Sequence, residues 1–242
     1  MQERFARTGL LLGEAGMEKL AGSRVAVFGI GGVGSYVTEA LARSGIGHFI
    51  LVDNDTVSIT NINRQLHANS HTVGKAKTEL MAQRIMDINP LAEVQVLNSF
   101  YSAENREVFT LGHIDYLVDA IDSVASKIDL IQQAQERNIP IISSMGTGNK
   151  LNPAELEVAD IYKTTVCPLA RVMRQRLKKA GIKKLKVVYS KEKPLEHQPI
   201  PEEFREDAAG DRPTVGSVAF VPSVAGLIIA SEVVKDLCAF AV

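Results

Sequence analysis

Residues 24–65, RVAVFGIGGVGSYVTEALARSGIGHFILVDNDTVSITNINRQ, leave a chain like this few folds to choose from. A short apolar run, 24–30, enters the glycine turn Gly29-Ile30-Gly31-Gly32-Val33-Gly34. A helix-like stretch, 35–43, ends at Gly45, and a second apolar run, 49–52, closes on Asp53. Strand, glycine loop, helix, strand and acid is the signature of a dinucleotide-binding βαβ unit. The first glycine permits a tight turn, the second lets a phosphate approach bare backbone, and the third lets the helix pack closely on the strand. The helix N-terminus offers N–H groups and the positive end of a dipole to an anion. Asp53, where the second strand ends, is placed to accept hydrogen bonds from ribose hydroxyls.

The residues after Asp53 sharpen this. Asp53, Asp55, Asn61, Asn63, Arg64 and Gln65 form D-x-D-x5-N-x-N-R-Q, and Gly74-Lys75-Ala76-Lys77 follows. A hydride-transfer enzyme has no evident need for Arg, Lys and Asn beside the diphosphate. A nucleoside triphosphate does, because Arg binds phosphate oxygens bidentately and Lys acts as a point charge. The site reads as one for ATP, bound by Gly29, Gly31, Gly32, Gly34, Asp53, Asp55, Asn61, Arg64, Gln65 and Lys77.

Downstream, 76–88 reads as a helix stopped by Asn89-Pro90. A short strand at 93–97 and a helix at 103–111 follow. Residues 116–121 are nearly continuous apolar, as in a strand buried on both faces; 124–137 is helical and 140–143 is another buried strand. This alternation predicts an α/β fold, a doubly wound, mostly parallel Rossmann-like sheet with a C-terminal extension carrying a basic helix. Ligands of such sheets sit at the C-terminal strand ends, where the glycine turn, Asp53 and Asp122 all fall. Asp122 reads as the Mg²⁺ ligand that screens the triphosphate, or as the N-cap of the next helix.

In the second half, 144–150 is a small turn suited to substrate, 155–163 and 185–190 read as strands, and 168–180 reads as a basic helix. Between Lys163 and Lys193 there are 11 Lys or Arg against one acid, Glu192, although the whole chain carries a net charge of −1. Such density is either a solvated helix face or the electrostatic footprint of a nucleic-acid backbone. The RNA reading takes Lys163, Arg171, Arg174, Lys178 and Lys179 as tRNA contacts. Residues 195–211 turn acidic and read as a mobile crossover loop, and 217–237 as an apolar helix packed on the sheet or on a second subunit. A chain of 242 residues, 45% hydrophobic, can bury one substantial core, so 1–242 is expected to be a single adenylation domain, 1–150 holding nucleotide and 151–242 holding substrate, tRNA and the dimer contact. Two cysteines, Cys167 and Cys238, make neither a disulfide framework nor a four-cysteine zinc site, which points to a reduced, cytoplasmic setting. No stretch reaches the ~20 apolar residues needed to span a bilayer, and membrane association is not expected.

At these motifs, and across roughly residues 3–237, the chain resembles the superfamily of ubiquitin-activating enzymes and bacterial sulfur-carrier adenylyltransferases. Val57 to Gln65, Ser143-Ser144-Met145-Gly146 through Asn152-Pro153, Pro168-Leu169-Ala170-Arg171 and Phe220 to Gly226 resemble its tRNA threonylcarbamoyladenosine dehydratase branch. The resemblance implies an ATP- and Mg²⁺-dependent enzyme, with a monovalent cation as a further candidate ligand. It would adenylate the threonine carboxylate of threonylcarbamoyladenosine in tRNA, and the carbamoyl nitrogen would then close a ring and expel AMP. It implies a homodimer in which Arg7 crosses to the partner's γ-phosphate, and it brings sulfur-transfer accessory proteins into view as partners. Arg64, Lys77, Asp122 and Arg7 become the catalytic set, with Asp122 on the metal. The alternative within the superfamily is an adenylyltransferase activating the C-terminal glycine of a ubiquitin-like sulfur carrier. The two CxxC pairs usual in those relatives are absent. Cys167 is the one candidate thioester cysteine near the site, and it reads as structural. An NAD-dependent oxidoreductase would leave Asn61–Gln65 and Lys77 without a task, and a non-catalytic nucleotide sensor would leave Asp122 without one.

Overall fold

The computed structural model describes residues 2–109, 113–196, 198 and 215–240. Its strands are β1 (Arg24–Phe28), β2 (His48–Val52), β3 (Glu93–Leu97), β4 (Tyr116–Asp119), β5 (Ile141–Ser144), β6 (Leu156–Asp160) and β7 (Lys186–Ser190). Its helices are α1 (Ala6–Gly22), α2 (Gly34–Ser44), α3 (Lys77–Ile88), α4 (Val124–Glu136), α5 (Pro168–Lys179) and α6 (Phe220–Leu237). The strands form one sheet in the order β3-β2-β1-β4-β5-β7-β6. All pairings are parallel except that of edge strand β6 with β7.

The central strands are buried on both faces, which is why they read as unbroken apolar runs. On one face Val37 and Leu41 of α2 and Ala225, Ile229 and Val233 of α6 pack on Val25, Val27, Leu51 and Val118. On the other, Phe28, Ile50 and Leu117 meet Tyr101, Phe109 and Leu130; Phe28 and Tyr101 are edge to face with centroids 5.1 Å apart. A separate cluster of Met145, Ile161, Met173, Leu177 and Tyr189 seats α5. The apolar C-terminal helix therefore covers α2 as well as the sheet. From β1 the chain winds outward through β2 to β3 and then returns to β4 on the other side. The crevice above β1 and β4 is the topological switch point where such sheets bind ligands.

Several expected elements differ. The helix expected over 103–111 is a 3₁₀ turn, Arg106–Phe109, and 110–112 lie outside the described residues. Asn105 accepts from the Ser102 N–H and donates to the Phe100 carbonyl, and such local side-chain bonds compete with helix. The strand expected over 155–163 is cut to β6 by 3₁₀ turns on either side; Asp160 starts the second by accepting from Tyr162 N–H at 2.9 Å. The arm before residue 23 is helical but kinked at Gly13, whose φ is 73°. Most of the 195–211 loop lies outside the described residues.

Candidate active site

A cavity of about 580 Å³ opens over the C-terminal ends of β1, β2, β4 and β5. The glycine turn forms its floor. Gly29 has φ +87°, and a Cβ there would stand 2.5 Å from the Ala120 carbonyl oxygen; one on Gly34 would stand 1.8 Å from the Gly29 carbonyl oxygen. No side chain fits at either place. A Cβ on Gly31 would meet nothing closer than Gln65 Nε2 at 4.0 Å, so the turn shows bare backbone to the cavity. α2 begins there and aims the positive end of its dipole at the same space.

Asp53 follows directly on β2 and braces the turn. Its carboxylate accepts from Ile30 N–H at 2.6 Å and from Asp55 N–H at 2.8 Å. Burial pushes its carboxyl up; those two N–H groups and the Lys77 charge pull the other way. Lys77 opens α3 and donates to Asp55 at 2.7 Å, its own side chain only 6% exposed. Asn61 is buried, and its side-chain oxygen accepts from Ser58 N–H at 3.2 Å, closing a reciprocal cap on the turn Ile59–Asn61. Arg64 donates to the Thr60 carbonyl and to Asn63 Oδ1, both at 2.9 Å. Asn63 donates to the Ser217 carbonyl at 3.0 Å, tying this loop to the approach to α6. Gln65 is buried against the cavity, and its Oε1 has no hydrogen-bond partner among the described residues. An unsatisfied buried oxygen, a phosphate-sized bare turn and two cationic side chains fit a nucleotide.

Asp122 is exposed on the cavity wall. The capping alternative goes to its neighbour: Ser123 accepts from Ser126 N–H and starts α4. No group of three His, Cys, Asp or Glu able to cage a metal occurs among the described residues. One carboxylate lining the same cavity as the bare glycine turn suits Mg²⁺, an ion that proteins commonly hold by one or two carboxylates.

Arg7 does not line this cavity. Its neighbour Arg4 donates to the Ile88 carbonyl at 2.7 Å, at the end of α3 remote from Lys77, roughly 16 Å along the helix. α5 starts at the rim, where Leu169 lines the cavity. Lys163, Arg171, Lys178 and Lys179 are exposed. Arg174 instead turns inward onto the Thr164 carbonyl at 2.9 Å. Lys186 is bound to Glu232 and Asp236, and Lys191 to Glu157, so the basic surface is smaller than the sequence count suggests. Cys167 is buried in the α5 cluster and Cys238 is half-buried against the Gly16 carbonyl; both are free thiols.

Sequence reasoning missed four contributors. Phe100 and Pro222 line the cavity. His67 is buried with no partner for either ring nitrogen among the described residues. Lys127, fully buried, pairs with Asp119 at 2.9 Å. Only Lys127 left a signal, since it shares a helix stripe with Leu130, Ile131 and Ala134 and must therefore point inward.

The ThiF family profile matches residues 5–241. The chain is 48% identical over 245 residues to the tRNA threonylcarbamoyladenosine dehydratase of Bacillus subtilis (strain 168), an alignment spanning 98% of this chain and 95% of that protein. Its fold matches crystal structures of the E. coli tRNA N6-threonylcarbamoyladenosine dehydratase in complex with ATP and with AMP. Each gives a TM-score of 0.87 at 36% identity, covering 98% of this chain and 94% of the other.

Proposed function

The chain belongs to the ThiF family, and on that premise we propose that it catalyses the ATP-dependent dehydration of threonylcarbamoyladenosine in tRNA. The observation that carries this reading is a single cavity with two unlike walls. The glycine turn, Asp53, Arg64, Lys77 and Asp122 make a nucleotide wall; Ser144 to Thr147 make an acceptor wall, and the basic face of α5 starts at its rim. The near full-length likeness to a bacterial enzyme of that name supports the substrate.

In this reading the substrate's threonine carboxylate attacks the α-phosphorus of ATP, the bond to the bridging oxygen breaks, and pyrophosphate leaves. The carbamoyl nitrogen then attacks the acyl carbon and gives up its proton; AMP departs and a ring closes. ATP supplies the leaving group for the lost water, and no protein nucleophile is required, in keeping with a buried Cys167. The chain's own work is positioning and charge neutralisation. Asp53 holds the ribose, Asn61 orients the phosphate, and Arg64 with the Asp55-bound Lys77 faces the charge that builds on it. Asp122 holds Mg²⁺, which screens the triphosphate when bound. Exposed Lys163, Arg171, Lys178 and Lys179 contact the tRNA backbone. The chain acts as one adenylation domain, in the cytoplasm, as a homodimer. No described helix is long and apolar enough to cross a membrane.

The test is nucleoside mass spectrometry after incubation with ATP, Mg²⁺ and tRNA bearing threonylcarbamoyladenosine. The expected result is ATP-dependent loss of one water from that nucleoside, with AMP and pyrophosphate formed. An unchanged nucleoside, with pyrophosphate exchange only on adding a small glycine-tailed protein, would reassign the chain to sulfur-carrier activation.

A further inference from the structure

Beneath the cavity lies a charged cluster that the reaction as described does not use. The Lys127 ammonium reaches Asp119 Oδ2 at 2.9 Å, the Ser144 carbonyl at 2.9 Å and Ser143 Oγ at 3.3 Å. Ser143 Oγ donates to the same Asp119 oxygen at 2.5 Å, and Ile121 N–H donates to the other at 3.2 Å. The side chains of Asp119 and Lys127 are 0% exposed. The three ammonium hydrogens meet three oxygens, so the group is satisfied. A pair this deep is not what stability alone selects, because two apolar side chains of similar volume serve a core as well or better.

Its place in the fold gives it a task. Asp119 is the last residue of β4, three before Asp122; Ser144 is the last residue of β5, where the acceptor wall begins; Lys127 stands in the first turn of α4, just past the Ser123 cap. One ammonium therefore joins the three segments that carry the metal-side carboxylate and the acceptor turn. The glycine turn, Asp53 and Lys77 hang instead on β1, β2 and α3. Neither Asp119 nor Lys127 lines the cavity.

We propose that Lys127, through Asp119, is a positioning residue that sets the Asp122 segment and the Ser144–Thr147 turn in register, so that the carboxylate of the bound substrate meets the α-phosphorus in line. The proposal rests on the adenylation reading above. It predicts a split: turnover depends on the pair far more than ATP binding does, because a displacement near 1 Å lowers the rate by about a hundredfold while the glycine turn, Asp53, Arg64 and Lys77 stay in place.

The experiment replaces both charges at once, Asp119→Leu with Lys127→Met, so that no unpaired charge remains buried. The expected double variant melts close to the parent, binds ATP within about threefold of it, loses at least about tenfold in kcat, and shows faster amide exchange over 144–147. Parental kcat, or kcat and ATP affinity falling together with the folded fraction, overturns the proposal. Should the double variant not fold, Ser143→Ala removes one member without stranding a charge; reduced kcat at unchanged ATP affinity supports the proposal, and unchanged kcat overturns it. If the parent itself leaves threonylcarbamoyladenosine intact, the functional reading fails by that control. Amide exchange over 144–147 then judges the pair, and an unchanged rate in the variant overturns it.

Discussion

At His67 a neutral ring is enforced by its surroundings. Burial, with the Lys77 ammonium nearby, holds its pKa at about 4 instead of 6.5, and neither nitrogen has a hydrogen-bond partner among the described residues. Between pH 6.5 and 4 the unfolded chain takes up a proton that the folded chain refuses. Folded-state stability is therefore fully present above 6.5 and falls with pH through that window, by up to about 1.4 kcal/mol per unit. Urea unfolding of His67→Gln at pH 7.5 and 5 should show a smaller loss than the parent, by roughly 1–2 kcal/mol. An equal loss in both proteins would mean that this ring is not the titrating group. Gly31 offers a cleaner separation of binding from folding. A methyl added there meets nothing within 4 Å except Gln65 Nε2, at that limit, yet it projects where a phosphate would approach. Gly31→Ala should melt like the parent and lose about tenfold or more in ATP affinity by calorimetry. Gly34→Ala, driven into the Gly29 carbonyl, should lose the fold of the turn itself.

Among the elements, α5 is where charge and placement come together. Its exposed Lys178 and Lys179 project from the surface while Met173 and Leu177 anchor the helix beneath. Replacing both lysines with Ala should leave melting and ATP affinity unchanged and weaken tRNA binding. The slope of log K against log salt should shrink by about one for each phosphate that is no longer neutralised. An unaltered slope would remove this face from the interface. The helix itself was legible in advance, with Pro168 at its first position and an apolar stripe inside. So were the βαβ unit and the central strands, because periodicity and glycine spacing are local properties of a sequence. What escaped notice was decided by distant partners. Arg174 faces inward because Thr164, ten residues away, offers a carbonyl; Lys186 is silenced by Glu232 and Asp236 on α6. Residues 103–111 carry a helix-like composition, yet Asn105 holds the backbone in a turn. The glycine turn and the Asp53–Lys77 residues that line the cavity could be read one by one, whereas the wall formed by Phe100 and Pro222 exists only once β3 and α6 are in place.

For the whole molecule, the proposed homodimer would give Arg7 a task that the cavity of its own chain does not. Arg7 stands on α1, three residues past the Arg4 that reaches the far end of α3, and it does not line the cavity of its own chain. Beside it Leu10 and Leu11 are 85% and 83% exposed, and Ile59, on the nucleotide loop, is 72% exposed. Large apolar side chains this open on two segments suit a contact with another copy. If Arg7 completes the site of its partner, two inactive variants can repair each other. Arg7→Ala keeps a whole cavity and lacks the arginine to lend; Asp122→Ala has the arginine and a disabled cavity. In a mixed dimer, the cavity of the Arg7→Ala chain receives an intact Arg7 from its partner and works, while the other cavity lacks both groups. With equal amounts and random exchange, half the dimers are mixed and one of their two cavities functions. The mixture should therefore recover about a quarter of parental dehydration after subunit exchange, although each variant alone is close to inactive. An arginine acting within its own chain gives no recovery at any mixing ratio. Cross-linking or light scattering on the same samples confirms that exchange occurred, so a negative result bears on Arg7 and not on the mixing.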